Sequence, residues 1–479
     1  MGRRRHDGHC AEHVFDVAVV GGGVLGAAVA ARLSSTSAST CLLEAEADVG
    51  EGASKGNTGV AVSYYGGPGS LETQLINASN PGWESLCDRL DVPYRRIGAI
   101  MVALSDEEGD RLEGIRQEAE ECAARAELLT ARQVLEAEPL VSGDCVAGLL
   151  LPDEGIIDPM RLTIAYGQLA VLNGVDFRLG ERVIAVERET EDVTIIRTSR
   201  GRVRARYVVN AAGLGAGQIS ALAGGEAIAT WPRKGQYVVL DRRFGERLSK
   251  IVFCTHLPDT KGINVVPTVH GSALLGPTAQ DGEDPDDRAT DADTIAHVLK
   301  QAARLVPSAL AEYAIKTFAA NRPASDEQHR LRVDPIVPNL VHVTDRSAGV
   351  SISPASAEHV VALLRESGLD VGERRDAVAA VTPVPRLRSA PDPEALIDID
   401  PLYGQVVCAC EHVSAAEIAK SLEGPLPARS VDAVRKRTGA THGRCQGSLC
   451  AAGVTFLCAL STNTGPATAP STTRGTVGS

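Results

Sequence analysis

The chain lacks any run approaching the roughly eighteen uninterrupted apolar residues of a membrane-spanning helix, so contact with a membrane is expected to be peripheral or through a partner. It also lacks a basic excess. With 48 Lys and Arg against 61 Asp and Glu, the formal charge is -13. That balance argues against a nucleic-acid partner, because binding a polyphosphate needs a basic surface that releases counterions. No export signal is expected either. MGRRRHDGHC opens on basic residues, but the apolar run after it, FDVAVVGGG, reads as a strand entering a glycine turn, and cleavage there would destroy the fold. A cytoplasmic protein is expected, with the inner face of a membrane as the peripheral option. No internal repeat is evident.

What is present is length. A chain of 479 residues is too long for one small core. Residues 1 to 14 and 461 to 479 read as disordered tails, too polar and too biased in composition to bury anything. TPVPRLRSAPDPEALIDIDP, within a linker placed at 371–402, carries five prolines and no helical or strand period. The main domain is therefore placed at 15–370 and a small one at 403–460. In the first, β-branched runs alternate with alanine-rich helical windows, as in DVAVV, VLGAAVAARLS and TCLLE, which reads as α/β. VPYRRIGAIMVAL reads as one strand, the segment from Glu107 to about Ala126 and PMRLTIAYGQLAVL read as helices, and VTIIRTSRGRVRARYVVN reads as a hairpin.

GGGVLG places glycines at 21, 23 and 26 between a strand and a helix. Gly21 would make the tight turn, Gly23 would admit a pyrophosphate to the backbone, and Gly26 would let helix and sheet pack closely. The second strand ends in Glu44, placed to accept hydrogen bonds from both hydroxyls of a ribose, which argues against a 2'-phosphate. A dinucleotide is expected, and the motif alone leaves NAD and FAD open.

Eleven cysteines are present, and seven are scattered without ligand spacing. The other four are paired, Cys408 with Cys410 and Cys445 with Cys450. Reduced core thiols and a tetrahedral zinc site are both open readings. C-x-C and C-x4-C nonetheless suit a larger object than one ion, such as two sulfide-bridged irons. The local chain favours an anionic centre: Ser414 with Glu417 forms a capping box, Ser430 caps a second helix ended by Gly439, Gly443 and Gly447 bracket Cys445, and a helix is expected from about Ser448.

Through GRCQG and the spaced thiols, residues 404 to 456 resemble the bacterioferritin-associated ferredoxin type of [2Fe-2S] domain, and that resemblance implies that Cys408, Cys410, Cys445 and Cys450 are the cluster ligands. A cluster passes single electrons, and a flavin can take a hydride and release electrons one at a time, so FAD becomes the expected dinucleotide. Residues 14 to about 365 are similar to the glycerol-3-phosphate dehydrogenase and D-amino-acid oxidase superfamily, through GASKGNTG, PGSLETQL, RYVVNAAGLGA, PRKGQYVVLD, KGINVVPTVHGSALLGPTA and RSAGVSISPASAEHV. The resemblance implies a Rossmann-like FAD-binding domain interleaved with an antiparallel β-sheet substrate domain, followed by the small helical [2Fe-2S] domain.

It further implies that Ser54, Asn57 and Thr58 lie along FAD, that Gly213 marks a second close approach to it, and that the loop at Gly349, Val350 and Ser351 turns main-chain N-H groups toward the pyrimidine end of the flavin. Arg322 matches the family's substrate-holding arginine, whose guanidinium suits carboxylate or phosphate. His270 is a candidate base or a turn residue. One departure stands out: many relatives carry a histidine where this chain has Val62, leaving Tyr64 or Tyr65 for the polar role.

The expected activity is FAD-dependent oxidation of a small anionic hydroxy compound, of the glycerol 3-phosphate or 2-hydroxy acid type. Electrons would pass through the cluster to a protein or quinone acceptor, in a possible hetero-oligomer. The alternatives are an amino- or imino-acid dehydrogenase subunit of opine or hydroxyproline type, and an electron-transfer or redox-sensing subunit without catalysis.

Overall fold

The computed structural model describes residues 13–255 and 262–461. The expected tails fall outside the described residues, apart from their inner edges. The first strand, Val14–Val20, runs into helix Val24–Leu33 and then strand Thr40–Glu44, and the two strands pair in parallel. Val14–Val20 also pairs in parallel with Gly201–Asn210, and Thr40–Glu44 with Asp176–Leu179, so the glycine turn opens at the carboxyl edge of a parallel core. Strands Val183–Arg188 and Thr194–Thr198 extend this sheet antiparallel, and Thr198 and Gly201 close the expected hairpin. Alanines of helix Val24–Leu33 are buried between helices Pro159–Leu172 and Gly349–Glu366, because small side chains let three helices approach one another over the sheet.

A second sheet of nine strands carries a separate core. Its long pair is antiparallel, Thr230–Leu240 against Ala314–Ser325, and its one parallel contact joins Ala99–Ala103 to Ile251–Cys254. The chain passes between the two sheets several times, which gives the interleaved architecture. The single strand expected over VPYRRIGAIMVAL is in fact two, Tyr94–Arg96 and Ala99–Ala103, in different sheets. Gly98 takes φ +74 between them, a left-handed turn that the β-favouring residues on either side conceal.

The segment 371–402 is folded down along much of its length. It contains a short helix, Pro393–Ile399, and Arg386 pairs with Asp91 at 2.8 Å. Proline hides this order from periodicity, because side-chain pairs rather than a repeating apolar face hold the segment. In the small domain the Ser414/Glu417 capping box, the Ser430 cap and the left-handed Gly439 stand as read. The last helix begins at Ala451 rather than near Ser448, because a turn through Gly447, at φ +88, intervenes.

Candidate functional site

One cavity of about 1370 Å³ runs from the glycine turn to the second sheet. It exceeds the roughly 300 to 1,000 Å³ of drug-sized sites and is therefore dinucleotide-sized. Gly21, Gly23, Glu44, Ser54, Asn57, Thr58, Gly213, Gly349, Val350, Ser351 and Arg322 all line it. Gly26 does not, and its part is packing: a Cβ there would stand 2.0 Å from the carbonyl oxygen of Gly21 and 3.1 Å from Cβ of Ala211. Gly21 takes φ +108, and a Cβ on it would meet the Ala211 oxygen at 2.4 Å. The bare turn forms a cradle that only glycine leaves open.

The Glu44 carboxylate accepts from the Gly22 N-H at 2.6 Å and the Glu46 N-H at 2.8 Å. Burial holds its pKa above the ordinary range. Ser54 Oγ accepts the Val24 N-H at 3.0 Å and ties the 52–59 loop to the glycine turn, and Asn57 Oδ1 accepts the Gly59 N-H at 2.7 Å. The residues at 349–353 form the start of a helix rather than a loop. Its opening N-H groups have no intrahelical acceptor and face the cavity end, where a developing negative charge would be held. Pro354 removes the bond to the Val350 carbonyl, and the Ser353 hydroxyl donates to that oxygen instead at 2.8 Å.

Arg322 reaches the cavity from strand Ala314–Ser325. Its one hydrogen bond is a long one, 3.5 Å to Ser347 Oγ, and its buried Nε has no partner. No carboxylate pairs with it among the described residues. Asp345 stands close by. Its Oδ1 accepts from the N-H groups of Ser347 and Ala348, its Oδ2 has no donor, and it contacts Glu72, another buried carboxyl. Burial raises the Asp345 pKa, against the lowering pull of the Ser347 and Ala348 N-H groups and of the Glu72 contact. Val62 lines the cavity with Tyr64 and Tyr65, and burial pushes both phenols up, so they hold their protons.

His270 lies elsewhere. It is nearly half exposed at 46%, its Nε2 is 2.8 Å from Asp158 Oδ2, and its carbonyl accepts from Arg388 of the segment leading to the cysteine domain. The structure thus separates His270 from Arg322 and puts it at a domain contact.

Glu154 could not be picked from the sequence. It is fully buried, and its Oε1 accepts from the Ser63 N-H at 2.8 Å, the Ser63 hydroxyl at 2.9 Å and the Tyr64 N-H at 3.3 Å, fixing the loop that carries both tyrosines. Burial pushes its carboxyl up from 4.5 to about 7. Between those values the folded state holds a proton the unfolded chain has released, so stability falls as pH rises from about 4.5 to about 7 and is flat above, by about 3 kcal/mol in all. Glu154→Gln should abolish that slope and melt higher than the parent at pH 8; parallel melting curves across the pH range would refute the assignment.

The four clustered thiols converge as two pairs. Cys408 and Cys450 are buried in mutual contact, and Cys410 and Cys445 form a half-exposed pair. Backbone N-H groups of Leu449 and Gly447 point at the Cys445 sulfur, and that of Thr441 points at Cys450. Left-handed residues at His412, Thr441, Gln446 and Gly447 aim these donors. A zinc ion with bonds of about 2.3 Å would draw all four sulfurs within about 4 Å. Here no three lie within 4.8 Å of one another; the group that does so among the described residues is Glu226, Asp334 and His342. Two separated pairs fit two irons, each holding two thiolates. The Glu226 group is already satisfied internally, since Asp334 accepts from His342 at 2.8 Å and Glu226 pairs with Arg332 at 2.8 Å.

Comparison with known proteins agrees with this geometry. The model of the family described as FAD dependent oxidoreductase matches residues 16–363, and that of the BFD-like [2Fe-2S] binding domain matches 406–457. A glycerol 3-phosphate dehydrogenase of Caloramator mitchellensis is 30% identical over 443 residues, covering 91% of this chain and 92% of its own length. Subunit A1 of an anaerobic glycerol-3-phosphate dehydrogenase from Haloferax volcanii is 26% identical over 395 residues, covering 71% of this chain and 64% of its own. Among solved structures, an L-alpha-glycerophosphate oxidase from Mycoplasma pneumoniae with FAD bound superposes with a TM-score of 0.74 at 26% identity, over 78% of this chain and 99% of its own. No helix of the described residues is long and apolar enough to cross a membrane.

Proposed function

The chain belongs to the FAD dependent oxidoreductase family and carries a BFD-like [2Fe-2S] binding domain, and on that premise we propose that it dehydrogenates sn-glycerol 3-phosphate. The observation that carries the substrate is Arg322, a guanidinium with a buried, unpartnered Nε and no carboxylate paired with it among the described residues, in a cavity already fitted for a dinucleotide. A phosphate or carboxylate completes it by charge-assisted hydrogen bonds.

FAD supplies hydride acceptance followed by one-electron release, and the cluster supplies the one-electron exit. The rest is done by this chain's own residues. The N-H groups of Gly23 and Leu25 at the start of helix Val24–Leu33 would hold the pyrophosphate, Glu44 would hold the ribose hydroxyls, and the open end of helix Gly349–Glu366 would stabilise negative charge at the far end. Arg322 fixes the substrate's anionic group and thereby orients its carbinol. Tyr65, still protonated, is placed at the cavity to donate to a substrate oxygen. The hydroxyl proton needs an acceptor, and with Val62 in the place of a histidine we assign it to the Asp345 and Glu72 pair. Cys408, Cys410, Cys445 and Cys450 hold the cluster. The Haloferax relative is itself a subunit, and we extend that to this chain: a hetero-oligomer that hands its electrons to a protein or quinone acceptor.

A second substrate reading is a 2-hydroxy acid, whose carboxylate the Arg322 guanidinium would hold as well as it would a phosphate. Among solved amino-acid oxidising neighbours of 23% identity or less the likeness is one of fold alone. The test is the rate of flavin bleaching under anaerobic conditions with sn-glycerol 3-phosphate, L-2-hydroxyglutarate and glycerol. The first is expected to be fastest and glycerol slowest by at least two orders of magnitude; equal rates with glycerol would remove the anion-recognition reading.

A further inference from the structure

The loop that follows Glu44 is fastened on two sides. Toward the glycine turn, Gly50 N-H donates to Gly22 O at 2.9 Å and Ser54 Oγ accepts from Val24. On its other side it meets the cysteine domain. Arg437 holds Asp48 bidentately at 2.8 and 3.0 Å, and Lys436 reaches Asp48 at 2.9 Å and also Glu51. These charges are enclosed: Lys436, Arg437 and Asp48 are 4%, 6% and 7% exposed. Burial by itself would raise the Asp48 pKa, yet the two cations keep it lowered, so the carboxylate is ionised in place.

An apolar pin stands beside the ion pairs. Leu426 of the cysteine domain packs into a small core with Val49 and Ile164, and its carbonyl accepts from Arg437 Nε and Nη2 at 3.2 and 3.0 Å. Asp48, Glu51 and Ser54 line the cavity from the loop, and Ser430, the cap of helix Val431–Thr438, lines it from the cysteine domain. Lys436 and Arg437 sit on the last turn of that same helix, which lies in sequence between the two cysteine pairs.

We propose that the iron-sulfur domain is part of the dinucleotide site: Lys436 and Arg437 are positioning residues that hold the 45–56 loop closed over the cavity, so that retention of FAD depends on the docked domain. The inference rests on the FAD reading above. Its chemical sense is that a flavin is kept only where its one-electron exit is in place, which couples occupancy of the two redox centres through one helix. Removing Arg437 would leave the buried Asp48 carboxylate with Lys436 alone and without its bidentate fork, and the loop would loosen to hydrate it.

The experiment uses full-length holoprotein. FAD dissociation constants are measured by the fluorescence of flavin released on dilution, alongside iron content, cluster absorbance and circular dichroism. Arg437→Gln and Leu426→Ala, one removing charge and the other the apolar pin, are each expected to raise the constant at least tenfold with iron content retained. Arg437→Lys should stay within threefold of the parent. Lys436→Gln, which leaves the Arg437 fork intact, serves if Arg437→Gln does not fold, with a rise of at least threefold expected. Constants within twofold of the parent in the charge-removing variant and in Leu426→Ala would overturn the clamp while leaving the function standing. A parent protein that binds no flavin would instead overturn the function.

Discussion

Gly26→Ala is expected to purify without flavin. A methyl group at that position would lie 2.0 Å from the carbonyl oxygen of Gly21, a backbone atom that no rotamer change can move aside. Relief requires helix Val24–Leu33 to lift from the strand and turn beneath it. That motion spoils the N-H array meant for a pyrophosphate and opens the alanine-lined contact with both flanking helices. Overpacking of this kind costs about 1 to 3 kcal/mol where side chains yield, and more where backbone must yield. The loss of flavin affinity should be at least 100-fold, read as the ratio of 450 nm to 280 nm absorbance after desalting. Gly114→Ala is the control. It lies in helix Asp106–Glu121, nothing stands within 4 Å of the added carbon, and it should retain flavin and gain about 0.5 to 1 kcal/mol from helix propensity. Flavin retained by Gly26→Ala at parental stoichiometry would mean that the cradle has been misplaced.

Arg322→Leu should keep its flavin and lose its substrate. A hydrogen bond to a charged group contributes about 1.5 to 3 kcal/mol, so losing a two-point contact should lower kcat/KM for an anionic substrate by roughly two to four orders of magnitude. Turnover of glycerol, which offers no anion, should change far less. The same variant carries a diagnostic on stability. An arginine placed for structure would be paired, and its loss would lower Tm; Arg322 has a buried nitrogen without a partner. Its replacement by a hydrophobe should therefore leave Tm unchanged or raise it. A lower Tm with an unaltered ratio between glycerol 3-phosphate and glycerol would assign Arg322 to the scaffold.

The parts of this protein legible from sequence are those whose physics is local. The glycine turn, Glu44 eighteen residues beyond Gly26, the capping box at Ser414 and the spaced thiols each declare themselves within a few dozen residues. The parts that were hidden depend on contacts between distant segments. Glu154 reads as a loop acid in LPDEG, and only the fold sets it beneath Ser63, 91 residues away in sequence. Asp48 and Arg437 are 389 residues apart, and neither bears a motif. His270 attracted attention as an imidazole near a resembling stretch, but residue type cannot say which side of a sheet a turn faces, and its partner proved to be Asp158 at a domain contact. The break at Gly98 was masked because Tyr94–Arg96 is too short to show a period of its own and the glycine's left-handed backbone leaves no mark on hydrophobic period.

The central claim is that one chain collects a hydride from an anionic hydroxy substrate and sends the electrons out singly through its own cysteine domain. The most direct test is an anaerobic titration of the purified holoprotein with sn-glycerol 3-phosphate, followed by flavin absorbance and by low-temperature electron paramagnetic resonance in the same samples. The account predicts that the flavin band bleaches and that the signal of a reduced [2Fe-2S] cluster grows with it. A flavin that bleaches while the cluster stays silent, or a cysteine domain that yields zinc in place of iron and sulfide, would contradict it.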